Sequence, residues 1–308
     1  MTCLFQFTSV LLEISIECIK KYSGSLFIAL GVQVVAVAWL FLWSFATMGV
    51  SIALNQNSDS EDSTMSSGMA FLLLVSLYWS LNVLTNIVLV TVAGVAATWY
   101  FNVESRNVTS SSLKRACTTS FGSICFGSLI IAIINAARAM IRAQTDDMNE
   151  IARCIIMCIV SCIEAIAEFI TKYAFVHVGI YGDDFIGAAK KTWELLMSRG
   201  FDVLVNDDLT GLATGFSAFV GGAVSGIVGA LVALALSLNK ASVMAAMIVC
   251  FVLGFAVVSV MMGVLDSCVA TMMVLWADDP AALQANHQRL HLKLNDAVRS
   301  MYPSVHLI

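Results

Sequence analysis

Residues 24–54 read GSLFIALGVQVVAVAWLFLWSFATMGVSIAL and contain no charged side chain. A helix needs about 20 consecutive apolar residues to cross the hydrocarbon layer of a bilayer, so this stretch is long enough to span a membrane. Other stretches of the chain qualify in the same way. The predicted spans are residues 24–54, 69–101, 121–142, 151–180, 212–237 and 243–275. The predicted fold class is therefore all-α, a polytopic integral membrane bundle of about six transmembrane helices.

The overall composition agrees with a membrane protein. Of the 308 residues, 59% are hydrophobic and 12% are charged. Soluble domains contain about 25% charged residues, so a soluble fold of this composition would lack polar surface. The formal net charge is −5 and the chain has no basic tract, which excludes the nucleic-acid-binding class.

Charged residues in the short loops predict the orientation of the spans. The loop at 55–68 has three acidic residues and no basic one, whereas the loops at 102–120 and 181–211 carry lysine and arginine. Because positively charged loops stay in the cytoplasm, both termini are expected to be cytoplasmic. The rule leaves the side of the loop at 143–150 open.

Three regions follow from this topology. Residues 1–23 are expected to form a cytoplasmic interfacial helix, residues 24–277 the transmembrane bundle, and residues 278–308 a cytoplasmic tail. Residues 183–199 form a second amphipathic stretch, in which Phe185, Ala189, Trp193 and Leu196 are expected to share one face.

Several motifs carry a resemblance to a known family. The most specific is ARCIIMCIVSCIEAIAEFITKYAFVHVGIYG at 152–182, followed by DDFIGAAKKTWELL. YWSLNV (78–83), RACTTSFGSICFGSLIIAII (115–134) and MMGVLDSCVATMMVLWADDP (261–280) occur in the order expected. With these motifs the chain resembles the choline transporter-like family, and its sequence is most similar to the fungal and protist branch of that family.

The resemblance implies a ten-helix plasma-membrane transporter of choline or a related organic cation, with cytoplasmic termini. The spans of this chain would then be the last six, and the first four helices of the family pattern are lacking. An alternative is a non-transporting membrane scaffold, or a fragment that needs those N-terminal helices. The expected partners are a choline-like cation and the lipid bilayer, together with either an oligomeric partner or the missing N-terminal half.

Aromatic residues inside the spans are candidates for binding such a cation. A quaternary ammonium group cannot donate hydrogen bonds, and it is recognised by the faces of aromatic rings. Trp43, Tyr78 and Trp79, with Asn82 one turn further on, are the candidates near the middle of the first two spans. The alternative is a lipid-facing or interfacial aromatic, which is the expectation for Trp99 and Tyr100 at the end of the second span.

Charged residues within the spans are the other candidates, because each is costly to place in a membrane. Glu164 and Asp266 stand at acidic positions of the family pattern and could act as counter-charges or proton carriers. The structural alternative is an ion pair, such as Arg138 with Glu164. Glu168 and Lys172 are one turn apart and could pair with each other.

Neither an enzyme, a cofactor nor a metal site is expected. The chain has no Ser-His-Asp grouping and no H-E-x-x-H motif. Cys154, Cys158 and Cys162 recur every four residues along one helix face, and this pattern favours packing over a metal site because a structural zinc site usually draws four ligands from more than one element. His287 and His291 lie in the polar tail.

Small residues in the fifth span predict close packing of helices. The pattern G-x-x-x-G occurs at Gly211 and Gly215 and again at Gly222 and Gly226. Such faces let two helices approach closely. A hinge for alternating access is the functional alternative.

Overall fold

The computed structural model of the chain describes residues 2–56, 63–103, 106–144, 150–199, 202–236 and 239–301. Every regular element in those residues is an α-helix, which confirms the predicted fold class. The helices are α1 (Thr2–Lys21), α2 (Gly24–Gln56), α3 (Ser63–Tyr100), α4 (Val108–Cys117), α5 (Phe121–Gln144), α6 (Glu150–Tyr181), α7 (Phe185–Arg199), α8 (Asp202–Ala235), α9 (Lys240–Asp278), α10 (Pro280–Asn286) and α11 (Gln288–Met301).

Six of the described helices are long and apolar enough to cross a membrane, as the sequence predicts. Their apolar parts are Gly24–Ile52 in α2, Gly68–Tyr100 in α3, Phe121–Arg142 in α5, Arg153–Tyr181 in α6, Thr210–Ala235 in α8 and Lys240–Asp278 in α9. The loop at 143–150, whose side the charge rule leaves open, lies mostly outside the described residues.

The chain divides into two compact units. The first comprises Met1–Leu30, Val92–Ser110 and Glu194–Ile308, and the second Gly31–Thr91 and Ser111–Trp193. In the first unit, α1 packs against α9 and α11 and buries Leu11 and Ile14 almost completely. Burial of these side chains stabilises the docked position of α1, because each is worth about 1.5–3 kcal/mol when removed from water.

The region predicted as a C-terminal tail forms two helices. The side chain of Asp279 accepts hydrogen bonds from the backbone N–H groups of Ala281 and Ala282 at 3.1 and 3.2 Å, and Pro280 stands at the first helical position. Both features are typical of a helix start. The following helix, α11, is held to α1 by two ion pairs, Lys293 with Glu13 at 2.6 Å and Arg289 with Glu17 at 2.5 Å.

The end of α3 is capped by the junction between α10 and α11. Asn286 donates to the carbonyl oxygen of Tyr100 at 3.1 Å, and the Nε2 atom of His287 lies 3.2 Å from the carbonyl oxygen of Trp99. The last carbonyls of a helix have no partner within it, so these side chains satisfy them. The His287 ring also stacks on Trp99 at 3.9 Å between centroids. Trp99 and Tyr100 are thus buried in the protein, and the expectation that they face the lipid or the interface is wrong.

Close packing of α8 on α9 occurs at only one of the two predicted glycine motifs. A Cβ added at Gly226 would lie 3.1 Å from the carbonyl oxygen of Met247, and one at Gly222 would lie 3.0 Å from the Cβ of Phe255. At Gly211 and Gly215 an added Cβ would have no described atom within 4 Å.

In the second unit, α5 packs on α6 and α7 closes against both. The rings of Phe175 and Phe185 lie 5.3 Å apart, and Gly127 leaves room for them because a Cβ there would overlap both. On α7 the buried positions are Phe185, Ala188 and Thr192. Trp193 is 45% exposed, so the buried side of α7 does not coincide with the face on which the sequence places Phe185, Ala189 and Trp193.

Candidate functional site

A crevice of about 350 Å³ lies between α2, α3 and α5 in the second unit. Its lining residues are Val35 and Trp39 from α2, Trp79, Ser80, Val83 and Leu84 from α3, and Phe121 and Cys125 from α5. Small-molecule sites are typically clefts of about 300–1,000 Å³ with mostly apolar and aromatic walls. The crevice therefore has the size and the lining of a site for a small ligand.

Trp79 is fixed in this crevice by a hydrogen bond. Its indole N–H donates to the carbonyl oxygen of Cys125 on α5 at 2.9 Å. Nearby, Asn86 on α3 donates to the Ser128 hydroxyl of α5 at 2.9 Å. These two bonds join α3 to α5 and hold the Trp79 ring in one orientation, with 38% of the residue exposed.

The other predicted aromatic candidates do not line the crevice. Trp43 lies one turn beyond Trp39 on α2, and its buried indole N–H has no hydrogen-bond partner in the described part of the chain. Tyr78 precedes Trp79 without lining the crevice. Asn82 donates its amide to the carbonyl oxygen of Tyr78 at 2.9 Å, a bond within its own helix. Of the aromatic set, the structure places only Trp79 in the crevice.

The predicted carboxylate Glu164 forms an ion pair with Arg138. The pair joins α6 to α5, and Arg138 also donates to the Ser161 hydroxyl at 3.3 Å. The Glu164 side chain is only 13% exposed. Its charge is compensated by the guanidinium, so in this arrangement Glu164 serves to hold two helices together.

Asp266 lies on α9 in the first unit and is half-buried. It does not line the crevice, and neither does Glu164. The lining contains no acidic side chain, so a cation in the crevice would meet aromatic faces and apolar side chains only.

Trp39 and Phe121 are the lining aromatics that sequence reasoning did not single out. Trp39 lies near the middle of Gly24–Ile52, one turn from Trp43, and the two are equivalent by depth. Phe121 is the first residue of α5 and therefore lies at the predicted end of a span, where an aromatic residue gives no sign of a binding role. Which of them faces the crevice depends on how α2, α3 and α5 pack, and that information is absent from the periodicity of any one helix.

Comparison with known proteins gives one family. A family model described as plasma-membrane choline transporter matches residues 4–281. Among curated relatives, Protein PNS1 of Gibberella zeae is 29% identical over 319 residues, covering 97% of this chain and 59% of the relative.

Two further relatives are similar to this chain over most of its length. Protein pns1 of Aspergillus fumigatus is 32% identical over 317 residues, covering 94% of this chain and 58% of its own length. A CTL-like protein of Dictyostelium discoideum is 29% identical over 294 residues, covering 92% of this chain and 51% of its own length. The chain thus spans between about half and three fifths of the length of these relatives.

Proposed function

The chain belongs to the plasma-membrane choline transporter family, and from that premise we propose that it moves choline or a related organic cation across a membrane. It is a multi-pass membrane protein of a transporter family. The proposal places it in the plasma membrane with both termini in the cytoplasm, as the distribution of basic loops predicts.

The observation that carries the proposal is the crevice with Trp39, Trp79 and Phe121 in its wall. A quaternary ammonium group is attracted to the negative face of an aromatic ring, and tryptophan gives the strongest attraction. The hydrogen bond from Trp79 to Cys125 supports this assignment, because a ring held in place before binding loses little conformational freedom when the cation arrives.

The remaining predicted residues have supporting roles in this proposal. Trp43, Tyr78 and Asn82 lie on the same two helices as the crevice tryptophans and shape their surroundings. Glu164 can act as a counter-charge only after it separates from Arg138, since the two are paired here. Asp266 is the second candidate counter-charge.

Alternating access is expected to involve bending of α8. Gly222 and Gly226 are packed tightly against α9, whereas a Cβ added at Gly211 or Gly215 would have no described atom within 4 Å. Bending at the packed glycines would break contacts, so the proposal places the hinge at Gly211–Gly215. Both positions are within one helix, and glycine lowers the cost of local unwinding there.

The test is the affinity for choline of the purified chain carrying Trp39→Leu and Trp79→Leu together. A desolvated cation–π contact contributes about 2 kcal/mol, which corresponds to about 30-fold in the dissociation constant. We therefore expect at least about 30-fold weaker binding by isothermal titration calorimetry.

The matched control is Trp193→Leu, which removes an exposed tryptophan outside the crevice and should leave choline affinity unchanged. Circular dichroism establishes that each variant keeps its helices. A folded double variant that binds choline as tightly as the unchanged chain would refute the crevice as the binding site.

A second candidate function rests on the length of the relatives. Because the chain spans about half to three fifths of them, a membrane subunit that needs further helices for transport is the alternative. The two are separated by choline uptake into vesicles that contain this chain alone. Saturable uptake supports the transporter, whereas tight binding without uptake supports the dependent subunit.

A further inference from the structure

Ser80 carries the single hydroxyl group among the described residues that line the crevice between α2, α3 and α5. Its side chain donates a hydrogen bond to the carbonyl oxygen of Ser76, one turn earlier on α3, at 2.7 Å. The bond is exposed, so the Ser80 oxygen stays accessible. A hydroxyl group has one proton and two acceptor lone pairs. Because the proton is already committed to Ser76, Ser80 offers a ligand an acceptor.

The other polar groups of the lining have less to offer. The carbonyl oxygen of Cys125 accepts the indole N–H of Trp79 at 2.9 Å. Since Cys125 lies within α5, the same oxygen also accepts the N–H of the residue four positions further on. Both of its lone pairs are therefore used, and a thiol is only a weak acceptor. Ser80 is thus the strongest open acceptor among the described lining residues.

The described residues of the lining carry no charged side chain. A carboxylate or phosphate group in the crevice would have no positive partner there, and an unpaired ion is costly to take out of water. A quaternary ammonium group differs in this respect, because aromatic faces compensate for part of its lost hydration. The crevice therefore fits a cation better than a zwitterion that carries the same ammonium group.

A hydroxyl group on such a cation would need an acceptor, because a hydroxyl group buried without a hydrogen bond loses free energy relative to water. If it donates to Ser80, the bond from Ser80 to Ser76 is kept, and each bond of the resulting chain polarises the next. A ligand that needs a donor would instead have to take the Ser80 proton away from Ser76. It would then gain one hydrogen bond and lose another.

We propose that Ser80 makes the crevice selective for organic cations that carry a hydroxyl group and no acidic group. The rings of Trp39 and Trp79 hold the cationic head, and the Ser80 oxygen accepts from the hydroxyl group at the other end of the ligand. Quaternary ammonium alcohols are thereby preferred over alkylammonium ions and over zwitterions. The inference rests on the proposed function of the crevice and narrows its ligands to one chemical class.

The experiment measures the binding of three ligands to the purified full chain by isothermal titration calorimetry. Choline is compared with propyltrimethylammonium, in which a methyl group replaces the hydroxyl group and the charge is the same. The third ligand is glycine betaine, in which a carboxylate replaces the alcohol carbon and its hydroxyl group. One neutral hydrogen bond corresponds to about fivefold in affinity, so choline should bind about fivefold more tightly than propyltrimethylammonium. Betaine should bind at least about tenfold more weakly than choline.

Two variants assign the preference to Ser80. Ser80→Ala should weaken choline binding until choline and propyltrimethylammonium bind equally well. The matched control is Thr85→Val on the same helix. Thr85 makes the same kind of bond, to the carbonyl oxygen of Leu81 at 3.0 Å, but is not among the described residues of the lining. This variant should keep the fivefold preference for choline.

The outcomes distinguish this inference from the proposed function. Equal binding of choline and propyltrimethylammonium to the unchanged chain, with both weakened by Trp39→Leu and Trp79→Leu together, would overturn the role of Ser80 and support the cation site. Betaine binding as tight as that of choline would also overturn the inference. If neither cation binds, or if the double tryptophan variant binds both as tightly as the unchanged chain, the inference and the proposed function are both wrong.

Discussion

Replacing Arg138 with methionine should destabilise the protein by about 3–5 kcal/mol. The change keeps an unbranched apolar stem, removes the guanidinium group and leaves Glu164, only 13% exposed, without its counter-charge. Breaking a buried pair from one side is costly because the remaining charge stays in a poorly solvated site. The free energy of unfolding in detergent, measured by titration with a denaturing detergent, gives the effect directly.

Two controls identify the ion pair as the cause. Arg138→Met combined with Glu164→Met should recover most of the loss, because neither charge then remains. Arg289→Met removes a pair whose side chains are 70% and 38% exposed, and it should cost less than about 1 kcal/mol. A double variant as unstable as Arg138→Met alone would show that packing, not charge, is what Arg138 contributes.

Replacing Gly254 with leucine should cost about 3 kcal/mol, at the upper end of the range for overpacking. A Cβ at this position would lie 2.6 Å from the Ser225 Oγ of α8, well inside contact distance. The α8–α9 pair must then separate, because the added carbon also overlaps the Cβ of Ser225, which cannot rotate out of the way. Thermal unfolding followed by circular dichroism measures the shift.

Gly263 offers a matched control on the same helix. An added Cβ there has no described atom within 4 Å, so Gly263→Leu should leave stability unchanged or raise it by up to about 1 kcal/mol through helix propensity. Equal effects of the two substitutions would contradict the packing of α8 on α9 described above.

The spans could be predicted from sequence because their signal is local. An uncharged apolar run such as 24–54 identifies a membrane helix without knowledge of its neighbours. The motif Asp279-Pro280 is an equally local helix-start signal, and it would have predicted α10 in place of a tail.

Features that depend on a second helix could not be predicted. Gly211 and Gly222 both begin a G-x-x-x-G motif, yet among the described residues a neighbouring helix comes within 4 Å of an added Cβ at Gly222 and not at Gly211. In the same way, Trp39 and Trp43 are equivalent within α2, and the packing of α3 and α5 decides which one lines the crevice. From the sequence, Glu164 could be either a counter-charge for the substrate or the ion-pair partner of Arg138. The choice between these roles depends on how α5 packs against α6.

The most direct test of the central claim compares choline with its neutral carbon isostere, 3,3-dimethylbutan-1-ol, on the purified chain. The two have the same shape, and only choline carries the positive charge that the rings of Trp39 and Trp79 would attract. We expect choline to bind about 30-fold more tightly by calorimetry, and Trp39→Leu with Trp79→Leu to remove that difference. Equal affinity for the two ligands would contradict the account, because the crevice would then select for shape and apolar surface alone.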